Sequence, residues 1–184
     1  MNKYIVICLI LLLSFLANAE QNEAKQIQWV DLMPAEDMNA LYNPPDELLD
    51  IPEGGAEDDI SNQVYTTLMQ AEDSDYLSAL TSKKVVDELN NQRIEIPGYI
   101  VPVTIEGDKT TEFFIVPYFG ACIHYPPPPP NQTIFSDYKK GFSLEKIYEP
   151  YFFTGLLTTS IKENELATAA YHLAIDDIAV YEER

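Results

Sequence analysis

Basic residues, histidine and cysteine are all scarce in this sequence. Its 184 residues hold 11 Lys and Arg against 30 Asp and Glu, for a formal net charge of −19. Affinity for nucleic acid or an anionic membrane comes mainly from Lys and Arg that neutralise phosphates, so both partner classes are excluded. There are two Cys, Cys8 and Cys122, and two His, His124 and His172. No apolar run reaches the roughly 20 residues that a membrane-spanning helix needs. No established catalytic motif is found. What the chain does have is 46% hydrophobic residues, including 8 Phe and 12 Tyr. That is enough to build a core, and the length suits one domain.

The compartment is read from the amino terminus. Lys3 is followed by an apolar stretch over 4–16, interrupted only by Ser14, and then by Ala17-Asn18-Ala19. This is the pattern of a secretory signal peptide over 1–19 with cleavage after Ala19. Cys8 sits inside the apolar stretch behind Ile5-Val6-Ile7, which argues against a lipid-anchored cysteine. The mature chain then begins at Glu20, has a net charge of −20 after the loss of Lys3, and keeps one thiol, Cys122. A single thiol makes no intramolecular disulfide. The expected location is the periplasm of a two-membrane envelope, with no direct membrane insertion once the signal is removed.

Charge divides the mature chain in two. Residues 20–82 carry 15 acids and one base, Lys25, whereas 83–184 carry 15 acids and 9 bases. The first part reads as an acidic extended arm over 20–60, with turns at Asn43-Pro44-Pro45-Asp46 and Pro52-Glu53-Gly54-Gly55, that packs through Trp29, Leu32, Met33, Leu41 and Tyr42. Its carboxylates lack the Asp-x-Asp-x-Asp-Gly spacing of a calcium loop. A helical lead-in is expected over 61–91: Ser61 caps a helix through Val64, Leu68 and Met69, and a second short helix lies at 76–80 or 83–89.

From Arg93 the apolar period becomes two. Ile94, Ile96 and Tyr99-Ile100-Val101 predict a strand bent at Pro97-Gly98. Glu106-Gly107-Asp108-Lys109 predicts a turn, and 111–118 the returning strand. Further strands are expected at 134–138, 151–161 and 170–181. Five strands over 92–184, with Gly98 in the first and Gly155 in the fourth, predict a mainly β, five-stranded barrel like the oligonucleotide/oligosaccharide-binding (OB) fold. A β-sandwich is the alternative.

The segment that stands out is Val116-Pro117-Tyr118-Phe119-Gly120-Ala121-Cys122-Ile123-His124-Tyr125, followed by Pro126, Pro127, Pro128, Pro129, Pro130, Asn131 and Gln132. Five prolines hold a stiff polyproline II rod about 15 Å long at ~3.1 Å per residue. The segment closely resembles the signature Val-Pro-Tyr-Phe-Gly-Ala-Cys-Ile-His-x-Pro-Pro-Pro-Pro-x-Asn-Gln of an uncharacterised bacterial domain-of-unknown-function family of secreted proteins and lipoproteins. The resemblance extends to Trp29-Val30-Asp31-Leu32-Met33-Pro34, to Gly98-Tyr99-Ile100-Val101-Pro102, to Thr154-Gly155-Leu156 and to Ala170-Tyr171. Tyr125 and the strongly acidic arm depart from the commonest pattern. Members often occur with an ABC-type transporter and a zinc-responsive periplasmic protein, so the resemblance implies a membrane transport complex as partner. It implies no established activity.

Cys122 and His124, two apart in an extended segment, point to the same side. A thiolate beside an imidazole has the chemistry to bind zinc or copper, or to act as an activated nucleophile. Zinc takes three or four protein ligands, and His172 is expected to point away because Tyr171, Leu173 and Ile175 turn inward, so carboxylates or a second subunit would have to complete a site. The bland alternative buries Cys122 beneath the rod while Asn131 and Gln132 tie down its far end. A binding-surface reading instead uses Tyr118, Phe119, Tyr125, Pro126–Pro130, Asn131 and Gln132 as a rigid recognition loop. The reading adopted is a non-enzymatic binding or adaptor protein with no required cofactor. The competing reading is a metal-binding or thiol-dependent protein centred on Cys122 and His124.

Mass spectrometry of the protein recovered from a periplasmic fraction is expected to find Glu20 at the amino terminus. Retention of residues 1–19 would overturn the cleavage site.

Overall fold

Alternating apolar and polar residues after Gln92 make strands whose inner faces share one core. The computed structural model describes residues 23–44, 75–121 and 128–182. The helix expected from Ser61 lies outside them. Five long strands form the barrel: β2 (Gln92–Glu106), β3 (Lys109–Val116), β4 (Ile134–Ser143), β5 (Tyr151–Glu163) and β6 (Thr168–Val180). A two-residue strand, β1 (Lys25–Gln26), lies parallel to β2. The order β2-β3-β4-β6-β5 returns to β2, so the sheet closes on itself as the OB-like barrel expected from sequence. All barrel pairings are antiparallel except β4 with β6, which meet in parallel at Ile134↔Tyr171 and Phe135↔His172.

Closure depends on one strand serving two partners. The first half of β2, Gln92 to Gly98, pairs with β5, and Tyr99 to Glu106 pairs with β3. The changeover falls at Pro97-Gly98, where the sequence predicts the bend. At Gly98 a β-carbon would lie 2.7 Å from Ile115 Cγ2 and 3.1 Å from Trp29 Cζ2. Gly155, at the register shift between β5 and β6, has no room either, since a β-carbon would overlap the Ala174 carbonyl oxygen. Side chains at either position would hold neighbouring strands apart, and the strong coil of a small barrel depends on such close approaches.

Several boundaries differ from the sequence expectation. β3 ends at Val116 because Pro117 has no amide hydrogen to donate. β4 runs to Ser143, well past the expected Tyr138, because Phe142 and Ser143 re-pair with Thr110 and Lys109 after a register shift. Of the two places expected for the second short helix, the first forms as an α-helix over Asp75–Leu80, whereas Lys83–Val86 is not helical and Asp87–Leu89 is a 3-10 turn.

The arm needs a larger correction. It is not extended throughout: a 3-10 turn at Trp29–Leu32 leads into helix α1 (Ala35–Tyr42), which packs on Asp75–Leu80, hereafter α2. Pro34 sits just ahead of the first turn, where a missing N–H costs nothing, and Glu36 and Asp37 favour the helix amino terminus. The turn's Asp31 accepts from the Gln28 amide at 2.8 Å, a local cap that the arm's overall acidity obscures.

The main core fills the barrel with Ile94, Ile96, Phe113, Ile115, Phe153, Leu157 and Leu173, and the arm adds Ile27 and Leu32, both buried. A second cluster lies on the other face of β3, where Phe114 and Val116 pack with Phe135, Ala169 and Ala121. The loop after β3 is therefore rooted in a small core of its own.

Tyr171 joins arm and barrel. Its buried hydroxyl donates to the Leu32 carbonyl at 2.8 Å and accepts from the Val86 amide at 2.7 Å. Burial, the largest cause, pushes its ionisation above the ordinary tyrosine value, with Asp87 adding to the shift and the Val86 amide opposing it. A raised phenol keeps its proton in the folded state, so its contribution is complete below about pH 10 and is lost as pH rises through the folded value. Tyr171→Phe is expected to cost about 2 kcal/mol at pH 7 in urea unfolding, since it leaves a buried carbonyl and amide unpaired. The gap to wild type should narrow above about pH 10; a gap that widens there would contradict this assignment.

Candidate functional site

The site is built from the loop between β3 and β4. Pro117 ends the ladder, the Ala121 amide bonds back to the Tyr118 carbonyl at 3.3 Å, and Ala121 is buried. Cys122, His124, Tyr125, Pro126 and Pro127 lie outside the described residues. At the far end Pro129, with φ −55° and ψ 153°, is in polyproline II conformation, and Pro130–Gln132 form a 3-10 turn. The Gln132 amide donates to the Pro129 carbonyl at 2.8 Å.

Asn131 and Gln132 are buried and face the arm. Gln132 Nε2 donates to the Trp29 carbonyl at 2.8 Å, and Trp29 Nε1 donates to the Pro97 carbonyl at 2.6 Å. Asn131 Nδ2 donates to Asp37 Oδ2 at 3.0 Å, and the other oxygen of that buried carboxylate lies 3.7 Å from Lys84 Nζ. These two amides anchor the described end of the rod to the arm and do not present polar groups to solvent. Pro128 and Pro130 are half-buried and Pro129 is buried.

Tyr118 and Phe119 are placed differently. They are 44% and 55% exposed, although the backbone on either side is rooted in the second core at Val116 and Ala121. Phe119 packs edge-on against Tyr99, with ring centroids 6.1 Å apart, and tilted against Tyr148 at 5.7 Å. Beside them a groove of about 320 Å³ at the β2 bend is lined by Trp29, Gly98, Tyr99, Pro117, Pro150 and Tyr181, with Gln28 and Pro97 completing it. Among the described residues no charged side chain lines it. Tyr181 is itself stacked on Phe152, centroids 5.0 Å apart. The result is an aromatic and proline surface suited to holding apolar or planar groups.

His172 lies beside Phe135 of the second core. Tyr171 and Leu173 are buried and His172 points outward, as the alternation predicts, with Nε2 2.8 Å from Asp137 Oδ1 and its ring 6.0 Å from that of Phe135. Among the described residues no three His, Cys, Asp or Glu side chains are grouped to hold a metal ion.

A family model for proteins of unknown function, DUF3299, matches residues 29–180. The chain belongs to DUF3299. This is in line with the family resemblance read from the sequence. The chain is also similar to a crystal structure of a DUF3299 family protein from Pseudomonas aeruginosa PAO1, at 30% identity over 89% of this chain and 99% of that one, with a TM-score of 0.62. No curated protein matches it. In this DUF3299 chain, the segments that carried the resemblance meet in space: Trp29, the Pro97-Gly98 bend, Gln132 and Tyr171 are linked by the hydrogen bonds above.

The aromatic partners of Phe119 were not singled out from sequence. Tyr99 carried a signal in the Gly-aromatic pattern of its strand. Tyr148 had none, because it reaches Phe119 from the β4–β5 connection; nor had Pro150 and Tyr181, which reach the groove from that connection and from the end of β6.

Asn131→Ala removes the buried partner of Asp37, and it is expected to cost about 1–3 kcal/mol in chemical denaturation. Lys84→Ala touches only an exposed cation and should leave the denaturation midpoint almost unchanged. Equal effects would show that Lys84, and not Asn131, holds the arm at Asp37.

Proposed function

We propose that this protein is a non-enzymatic binding or adaptor module of the periplasm, accessory to an ABC-type transport system, that docks a partner protein through the aromatic patch around Tyr118 and Phe119. The observation that carries the reading is the exposure of these two side chains on a backbone rooted at Val116 and Ala121. Large aromatics held in place before binding lose little entropy on contact, and such residues dominate interface energies. The adjoining proline run adds stiffness, and Asn131 and Gln132 hold its far end on the barrel side of the arm. The transport complex as partner rests on the family resemblance, and the periplasmic location rests on the signal peptide.

Crosslinking of the protein in intact envelopes, followed by mass spectrometry, is expected to trap a membrane protein, and Tyr118→Ala/Phe119→Ala is expected to lose that product while circular dichroism stays native. Undiminished crosslinking by the double variant would refute docking at this patch. The zinc and copper content of purified protein provides the other arm of the experiment. Stoichiometric metal that disappears in both Cys122→Ser and His124→Ala would replace this reading with the metal-binding one.

A further inference from the structure

A second surface lies on the arm. Between the Trp29–Leu32 turn with the start of α1 on one side, and the Val85–Glu88 segment on the other, runs an open groove of about 670 Å³. Its floor is apolar, formed by Val30, Met33, Met38, Val85 and Val86, and Val30 is 44% exposed. Its rim carries Asp31, Asp87 and Glu88, and no basic residue among the described residues lines it. Val30, Met33 and Met38 also line a smaller apolar hollow of about 210 Å³ that continues along α1 to Leu41 and Tyr42. The two together follow the length of α1, about 12 Å for eight residues.

Lys84, which precedes Val85 in the chain, is paired with other carboxylates. Lys84 Nζ is held by Glu36 at 3.1 Å and lies 3.7 Å from Asp37. One oxygen of Asp31 accepts from the Gln28 amide, whereas Asp87 and Glu88 are exposed. The groove therefore joins an apolar trough to a carboxylate rim on a chain that already carries 30 acids against 11 bases. Unbranched methionines give such a trough an adaptable lining, and the overall negative charge speeds the approach of basic partners while repelling a second copy of this chain.

We infer that this groove is a docking site for a basic amphipathic peptide segment of a partner protein, with Lys or Arg side chains at Asp31, Asp87 and Glu88 and apolar side chains over Val30, Met33 and Met38. The site is separate from the aromatic patch, so one chain has two protein-binding surfaces.

The test uses the mature protein and a fluorescein-labelled 12-residue peptide of lysine and leucine in helical pattern, read by anisotropy, with a glutamate-for-lysine peptide as control. Asp87→Asn/Glu88→Gln is expected to weaken binding about tenfold, as two rim ion pairs are lost. Glu165→Gln/Glu182→Gln, which removes the same charge elsewhere, should change it less than about twofold. Val30→Lys should abolish binding, and added salt should weaken it. Amide resonances of residues 30–38 and 85–88 should shift on titration. Equal losses in the two charge variants, shifts clustered elsewhere, or absence of binding would each overturn the proposal. Because Tyr118 and Phe119 are unchanged throughout, failure here leaves the aromatic patch reading to its own test.

Discussion

The contact on which the rest depends is the one between the Trp29–Leu32 turn and the barrel. A closed five-stranded barrel has no free sheet edge along its wall, but its interior still needs cover at the end. Ile27 and Leu32 supply that cover and are buried in the same core as Ile94, Phe153 and Leu173. Three polar groups then hold the turn in register: Trp29 on the Pro97 carbonyl, Gln132 on the Trp29 carbonyl and Tyr171 on the Leu32 carbonyl. Each satisfies a backbone carbonyl at the seam, and this is what allows an irregular segment to lie against a core.

The described ends of the loop after β3 are anchored in the same way. Its first end is rooted by Val116 and Ala121 in the second core, and its last residues are clamped to the arm through Asn131 and Gln132. A loop anchored at its described ends can leave Tyr118 and Phe119 outside, and the contacts of Phe119 with Tyr99 and Tyr148 limit the motion of that ring. The clamp is also why arm, barrel and loop form one unit across a long sequence separation.

Charge is organised on a different principle. The excess of carboxylates has no counterpart in the core, where Asp37 is the one buried carboxylate among the described residues and is paired with Asn131 and Lys84. The other described acids are partly or fully exposed, and at Asp31, Asp87 and Glu88 they border apolar side chains. An acidic rim over an apolar floor selects for a partner by sign as well as by shape.

Much of the barrel was legible in the residues. The period of two after Arg93, the bend at Pro97-Gly98 and the glycine at 155 are local signals, and each marks a place where only backbone geometry matters. The outward turn of His172 follows from the same alternation. The extension of β4 past Lys139-Lys140 was not legible, because it depends on a re-pairing with β3 that local polarity argues against. Nor was helix α1, whose eight residues sit in an acidic stretch with weak periodicity and gain their stability from packing on α2. The candidate surface shows the same division. Tyr118 and Phe119 stood out as exposed aromatics beside a proline run, a matter of sequence pattern alone. That Tyr99, Tyr148 and Tyr181 join them, and that Asn131 and Gln132 turn inward to hold the arm, depended on how distant segments pack, since a side chain's neighbours across a barrel are set by strand register and closure and leave no mark on its neighbours in the chain.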